Sequence, residues 1–211
     1  DGSITEKERP GTMERNRNLE MAVLNRISHA VMRERNVSAL LRQVLDILCR
    51  EMGLVRGTVT LLRGRQLVIE ASNGLSREEM RRGRYRLGEG VTGQVALTGE
   101  ARIIPDISQE PEFLYRTGAR ERDSHVAFIC VPVVHQGKVI GTMSIDREVV
   151  EGADLERDYR LLEIVANLMA EAVSLDLAEH EERSRLIAEN ARLKRALDRI
   201  SGPPEVIGSC R

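Results

Sequence analysis

Between Glu112 and Val133 the chain sets Arg116, Arg120 and Arg122 directly before FICVPV, one of its most apolar runs, with Arg102 a little upstream. A guanidinium stays ionised at any accessible pH, so burying one requires a carboxylate, a phosphate or another anion beside it. Either these groups face water, or something anionic sits among them. Their planar fork of N–H donors matches a carboxylate in geometry as well as charge, so the chemistry this set can do is anion recognition.

Other chemistries find less support. Gly88, Gly90 and Gly93 have the G-x-G-x-x-G spacing, but no long buried strand precedes them and no βαβ unit with a ribose-binding acid follows, so the glycines read as room for a short helix to pack closely. Ser, His and Asp occur without a nucleophile elbow or paired carboxylates to bring them together, and no catalytic residue is assigned. The cysteines, Cys49, Cys130 and Cys210, lie far apart with no C-x-x-C pair, which argues against a disulfide framework and a preformed zinc site. Reduced cytoplasmic thiols are the expectation, with no metal and no cofactor.

With 211 residues, 41% hydrophobic and 31% charged, the chain can form one sizeable domain plus helical extensions, and its net charge of −1 gives no global field for nucleic acid. Two Phe, three Tyr and no Trp supply a stacking surface poorly, so the core must be aliphatic. The apolar runs are too short to span a bilayer, and the N-terminus lacks a secretory pattern. Because it starts at Asp1 without Met and stops just after an apolar motif, the sequence reads as a piece of something longer.

Residues 1–17 read as a disordered lead, with structure from about Leu19. Val23, Leu24, Ile27 and Val31 follow helical spacing; after a break at Asn36 a second helix is expected, with Ser38 as its cap, an inner stripe of Leu41, Val44, Leu45, Leu48 and Met52, and a stop at Gly53. GTVTLL (57–62) and QLVIEAS (66–72) read as a hairpin. A short helix from about Gly90 to Gly99, a strand at ARIIPD (101–106) and a second hairpin turning at Gln136-Gly137 follow. A helix from Asp154 carries Leu161, Leu162, Val165, Leu168, Met169, Ala172 and Val173 on one face. Helices interleaved with hairpins predict an α+β fold with an antiparallel sheet. The spacing carries the last helix on to Ile200: Leu186, Leu193 and Ile200 recur at seven residues, with Asn190 and Leu197 at the alternate core position. That spacing predicts a parallel two-stranded coiled coil with Asn190 fixing register; a solvated single helix is the alternative.

YRLGEGVTGQVALTGEARIIPDIS, EPEFLYRTGAR, FICVPVVHQGKVIGTMSIDR and the closing PPEVIGS resemble the N-terminal regulatory GAF domain, linker and first ATPase residues of NifA-type activators, the bacterial enhancer-binding proteins that work with sigma-N (sigma-54) RNA polymerase. The resemblance implies an antiparallel sheet of about six strands with helices on both faces, dimerised through its flanking helices. It divides the chain into a GAF domain at 18–178, a coiled-coil linker at 179–202 and, at 203–211, the start of an AAA+ ATPase domain. With neither a Walker A loop nor a helix-turn-helix, this stretch should neither hydrolyse ATP nor contact DNA directly.

In GAF domains a small ligand commonly binds between the sheet and its cover, here Ser76–Gly99 and Ser108–Ser124, and some NifA-type domains respond to 2-oxoglutarate. The resemblance thus points to Arg116 and Arg120 as first ligand contacts, then Arg84 and Arg86, over a floor of Phe128 and Cys130, which share a strand face opposite Ile129 and Val131. Other readings stay open. Arg77, Arg81 and Arg82 suit a solvated face, Arg116 could pair with Glu110 or Glu112, and the floor could be plain core. Related activators that sense nitric oxide through non-haem iron suggest His125, Cys130, Asp123 and Asp146 as ligands, although His125 and Cys130 point to opposite faces of a regular strand. The domain could also act without a ligand, as a homodimer that docks a PII-type or NifL-like protein.

Overall fold

The computed structural model describes residues 10–121, 125–149 and 154–200. The expected lead at 1–9, Arg122 to Ser124, the break after Ile200 and Cys210 fall outside them, as does the side chain of Ile200. Helix α1 (Pro10–Arg33) begins inside the stretch expected to be a lead, with proline at the first helical position, where its missing N–H and fixed φ cost nothing. Helix α2 (Val37–Met52) is capped by Asn36, not by Ser38: the Asn36 side chain accepts from the Ala39 amide at 2.9 Å, and the Ser38 hydroxyl turns to Glu70 instead. Asn36 keeps an extended backbone, and Ser38 already sits inside the first turn. At the other end Gly53 takes the left-handed conformation that stops the helix.

Six strands follow in a single antiparallel sheet: β1 (Arg56–Arg63), β2 (Gln66–Asn73), β3 (Arg84–Arg86), β4 (Arg102–Ile104), β5 (Val126–His135) and β6 (Lys138–Glu148), in the order β3-β2-β1-β6-β5-β4. Helix α3 (Arg77–Arg82) lies between β2 and β3, α4 (Gly90–Thr98) between β3 and β4, a single 3-10 turn (Ile107–Gln109) after β4, and α5 (Leu155–Ile200) after β6. The β5–β6 hairpin turns on Gln136 (φ 48°) and Gly137 (φ 74°), the double left-handed geometry that matches the twist of the flanking strands. The Asp154 carboxylate accepts from the Arg157 amide and so starts α5.

The two sheet faces differ in chemistry. A Cβ added at Gly57 would fall 2.9 Å from Leu45 of α2, so Gly57, Val59 and Leu61 face the helices, together with Met143 and Ile145 of β6 and Ile129, Val131 and Val133 of β5. Leu40, Leu41, Val44 and Leu48 of α2 and Leu162, Val165 and Met169 of α5 complete that aliphatic core. The opposite face carries a polar row: Arg56 opposite Asp146, Thr58 opposite Ser144 and Thr60 opposite Thr142, with Phe128 and Cys130 in the next strand. Alternation sends every second residue of the hairpins to this side, where α4 and the loop before β5 cover it.

Gly93 shows how tightly that cover sits. A Cβ there would meet the Arg86 carbonyl oxygen at 2.3 Å, a backbone atom that cannot swing aside. Gly93→Ala is therefore expected to lower unfolding free energy by about 2 kcal/mol in a urea titration, whereas Gly137→Ala, with open space but φ of 74°, should cost about 1 kcal/mol.

The chain divides into two compact units, one through Val173 and one from Ser174. Within the first, Val23 and Ile27 are fully buried, and α1 packs on α2. That half of the stripe expected at a dimer interface is thus part of the chain's own core, while Leu24 and Val31 are half-buried. In the second, Leu186, Leu193 and Leu197 are 54%, 58% and 61% exposed, and Asn190 is exposed with them. No helix among the described residues is long and apolar enough to cross a membrane.

Candidate functional site

Under the cover lies a cavity of about 30 Å³. Thr58, Thr60, Ser144 and Phe128 line it from the sheet, Tyr85 from β3, Val91 and Thr92 from α4, and Leu114 to Thr117 with Arg120 from the loop before β5. That is space enough to admit water.

Behind the lining, and reaching it through Arg120, stands Asp146, which is 2% exposed and takes two cations. Arg120 binds it through both prongs, Nε to Oδ2 at 2.7 Å and Nη2 to Oδ1 at 2.6 Å. Arg56 adds Nη1 to Oδ2 at 2.8 Å and spans to the carbonyl of Ala119 through Nη2 at 3.2 Å, which ties the loop to the sheet. The Arg120 guanidinium also stands 5.2 Å from the Phe113 ring centre and 5.6 Å from that of Phe128, so two aromatic faces stabilise the charge. Two guanidiniums on one carboxylate leave a net charge of about +1 in a largely buried place. Thr58, Thr60 and Ser144 add hydroxyls to the cavity wall beside it. Burial raises the pKa of Tyr85, with the Arg120 charge pulling the other way, so its phenol is a neutral donor toward the same space.

Arg116 takes another partner. It pairs neither with Glu110 nor with Glu112 but with Glu89, at the start of α4; Arg102 holds Glu110 and Glu112. The Arg86 amide, with the Arg116 guanidinium beside it, holds the Glu89 carboxyl below the usual range. Arg116 is 38% exposed and sits at the cavity rim, whereas Arg120 is 9% exposed and inside. Arg84 and Arg86 are exposed and not among the lining residues: on the short edge strand, alternation sends the intervening Tyr85 to the cavity.

Phe128 reaches the cavity; Cys130 shares its face but is sealed in a cluster with Val91, Val95, Ile104 and Ile107. Burial pushes the Cys130 thiol up to about 12 despite a hydrogen bond with Thr142, and that of Cys49 up to about 11, so neither is a reactive thiolate near neutral pH. The residues considered for iron are dispersed: His125 pairs with Asp106 at 2.8 Å, Asp146 is held by the arginines, and Asp123 lies outside the described residues. Among the described residues no three His, Cys, Asp or Glu gather as a metal group.

Sequence reasoning missed Arg56, Tyr85, Thr58, Thr60 and Ser144 as site residues. The available signal was alternation in two strands: β1 and β6, apolar on one parity, carry Thr58 with Thr60 and Thr142 with Ser144 on the other.

The profile of the GAF domain family matches residues 34–174. The chain is 38% identical over 196 residues to the nitrogen fixation protein VnfA of Azotobacter vinelandii, covering 90% of this chain and 38% of that one. It is 36% identical over 194 residues to AnfA of the same organism, covering 90% and 36%, and 35% identical over 200 residues to the Nif-specific regulatory protein of Azospirillum brasilense, covering 92% and 32%. The chain thus spans less than two-fifths of the length of these relatives. Among solved structures, the A. aeolicus nlh2 GAF domain in an inactive state superposes with a TM-score of 0.69 at 24% identity, over 76% of this chain and 99% of that one. Free methionine-R-sulfoxide reductase from Neisseria meningitidis in complex with its substrate gives 0.63 at 23% identity, over 74% and 88%. At those identities the likeness concerns the fold alone.

Proposed function

This chain belongs to the GAF domain family, and from that premise we propose that it is the sensor of a nitrogen-fixation-type transcriptional activator, binding a small anionic metabolite and controlling an adjoining AAA+ ATPase that acts with sigma-54 RNA polymerase. The regulatory setting follows from the VnfA, AnfA and Nif-specific relatives. The anion reading rests on one observation, the buried excess of positive charge where Arg56 and Arg120 share Asp146 beside a hydroxyl-lined cavity. The favoured ligand is 2-oxoglutarate, whose carboxylate suits the inward side of Arg120.

A dicarboxylate needs more room than the present cavity offers, so entry requires the cover to move. The loop from Leu114 to Arg120 is the part to open: it is joined to α4 by the Arg116–Glu89 pair and carries left-handed residues at Tyr115 and Gly118. Released from Glu89, Arg116 is free to take the second carboxylate. By calorimetry, Arg116→Ala is expected to weaken 2-oxoglutarate binding about tenfold with an almost unchanged melting temperature, because its pair is exposed, while Arg120→Lys weakens it about a hundredfold. Binding that survives Arg120→Lys intact would refute the anion reading.

The exposed row of Leu186, Leu193 and Leu197 supports a homodimer through the second unit, with Asn190 as the polar core position. Sedimentation at micromolar concentration should show a dimer that Leu186→Asp with Leu193→Asp converts to monomer; a monomeric parent chain would contradict it. The small cavity volume also favours a second reading, a ligand-free dimerisation module that docks a PII-type or NifL-like partner. Absence of any calorimetric signal with 2-oxoglutarate selects it.

A further inference from the structure

A second concavity lies on the outside of the sheet edge, along α3 and β3. It encloses about 410 Å³ between the guanidinium-bearing Arg77, Arg81 and Arg84, over a floor of Val68, Ile69 and Met80. All three arginines are exposed, and none forms an ion pair with a carboxylate among the described residues. Of the two acids of α3, Glu79 is committed to the Ser76 capping box and Glu78 stands exposed beside Arg77. With Arg77, Arg81, Arg82 and Arg84 against these two acids, this edge of a chain of net charge −1 carries an excess of positive charge around an apolar floor.

We propose that this groove is the docking site for an acidic segment of a partner protein that carries an apolar anchor side chain. The two halves of the groove select that occupant. Carboxylates meet the three guanidiniums, and an aliphatic side chain meets Val68 and Met80, which are half-buried and have room above them. Nucleic acid fits worse, because it has phosphates for the rim but nothing apolar for the floor, and the ring of Tyr85, the aromatic residue of this edge, points inward to the cavity. A flat anionic lipid surface would reach the rim arginines and leave the concave floor empty.

The position of the groove gives the docking a consequence. Ile69 lines both the groove and the internal cavity, so one side chain separates a docked anchor from that space. Gly83, at the end of α3, is packed so closely that an added Cβ would lie 2.2 Å from Ile69 and 3.2 Å from Thr117 of the cover loop. The docking surface itself does not depend on what the cavity binds.

The probe is a fluorescent synthetic peptide of alternating Glu and Asp around two central leucines, titrated by anisotropy into the full 211-residue chain at low salt. Saturable binding is expected, weakened about tenfold in Arg77→Glu/Arg81→Glu/Arg84→Glu and about fivefold when glycine replaces the peptide leucines. Met80→Gln should reproduce the leucine effect, and the exposed positions leave thermal unfolding unchanged. The proposal is overturned if no saturable binding occurs, or if the arginine reversals leave it intact. It is equally overturned if single-stranded DNA or anionic vesicles bind in the peptide's place, or if the reversals change the sedimentation of the chain, which would mark the edge as a contact between copies.

Discussion

Asp146→Ala is expected to remove about 3–5 kcal/mol of unfolding free energy, a large share of the roughly 5–15 kcal/mol that keeps a typical domain folded. The side chain is almost wholly enclosed, and both Arg56 and Arg120 depend on it for neutralisation. Deleting it strands two cations, one of them beside the Phe113 and Phe128 rings. Urea denaturation gives the loss directly. A control separates stability from recognition. Replacing the whole cluster with apolar residues, Asp146→Leu with Arg56→Met and Arg120→Met, should recover much of the stability, because no buried charge remains uncompensated. The same triple variant should fail to bind anions. If Asp146→Ala unfolds with the parent midpoint, the cluster is more hydrated than its burial indicates and the cavity has no special electrostatic character.

The second large effect is expected one residue along the same strand. Arg147 faces the opposite side of β6 from Asp146, pairs with the buried Asp158 of α5 and donates from Nη2 to the Met52 carbonyl at 2.9 Å. Arg147→Met should cost about 3 kcal/mol at neutral pH, because it leaves Asp158 without its main counter-charge. The pH dependence has a definite sign. Burial already raises the Asp158 pKa above its ordinary value against the pull of Arg147, and losing Arg147 raises it further. A carboxyl whose folded pKa lies above its unfolded one favours folding when protonated, so the deficit should be fully present above the folded pKa and shrink as pH falls toward the unfolded value. Urea midpoints from about pH 8 down to about pH 4 would follow it. A deficit independent of pH would assign the effect to lost packing of the arginine stem.

Asp146 and Arg147 also suggest how a cavity event could leave the domain. Consecutive residues of one strand hold the cavity cluster on one face and the start of α5 on the other. Arg157, one residue before Asp158, binds Glu20 of α1 at 2.6 Å, so the first turn of α5 is tied to both strand and helix. A ligand that draws Arg120 away from Asp146 would act on the strand that positions α5.

The fold was legible where local chemistry determines it. The inner stripe of α2, the glycine stops at Gly53 and Gly99, and the Gln136-Gly137 turn each follow from period or backbone sterics. Strand β3 was not, because Arg84-Tyr85-Arg86 is three residues of edge strand with no apolar run to announce it. The site was legible as arginine-rich, but its wiring was not. Arg120 finds Asp146 twenty-six residues away, Arg56 finds the same carboxylate across ninety, and Arg116 passes over nearby Glu112 for Glu89. Strand parity put Phe128 and Cys130 on one face but could not say that α4 seals one and leaves the other at the cavity. Such pairings are set by sheet order, which spacing along the chain does not encode.

Amide chemical shifts of the isotope-labelled chain titrated with 2-oxoglutarate test most directly whether the cavity beside Arg120 takes a small anion. Saturating shifts centred on Thr58, Tyr85, Ser144, Thr117 and Arg120, and absent in Arg120→Lys, are the predicted result. Shifts confined to the α3 edge, or none at all, would contradict it.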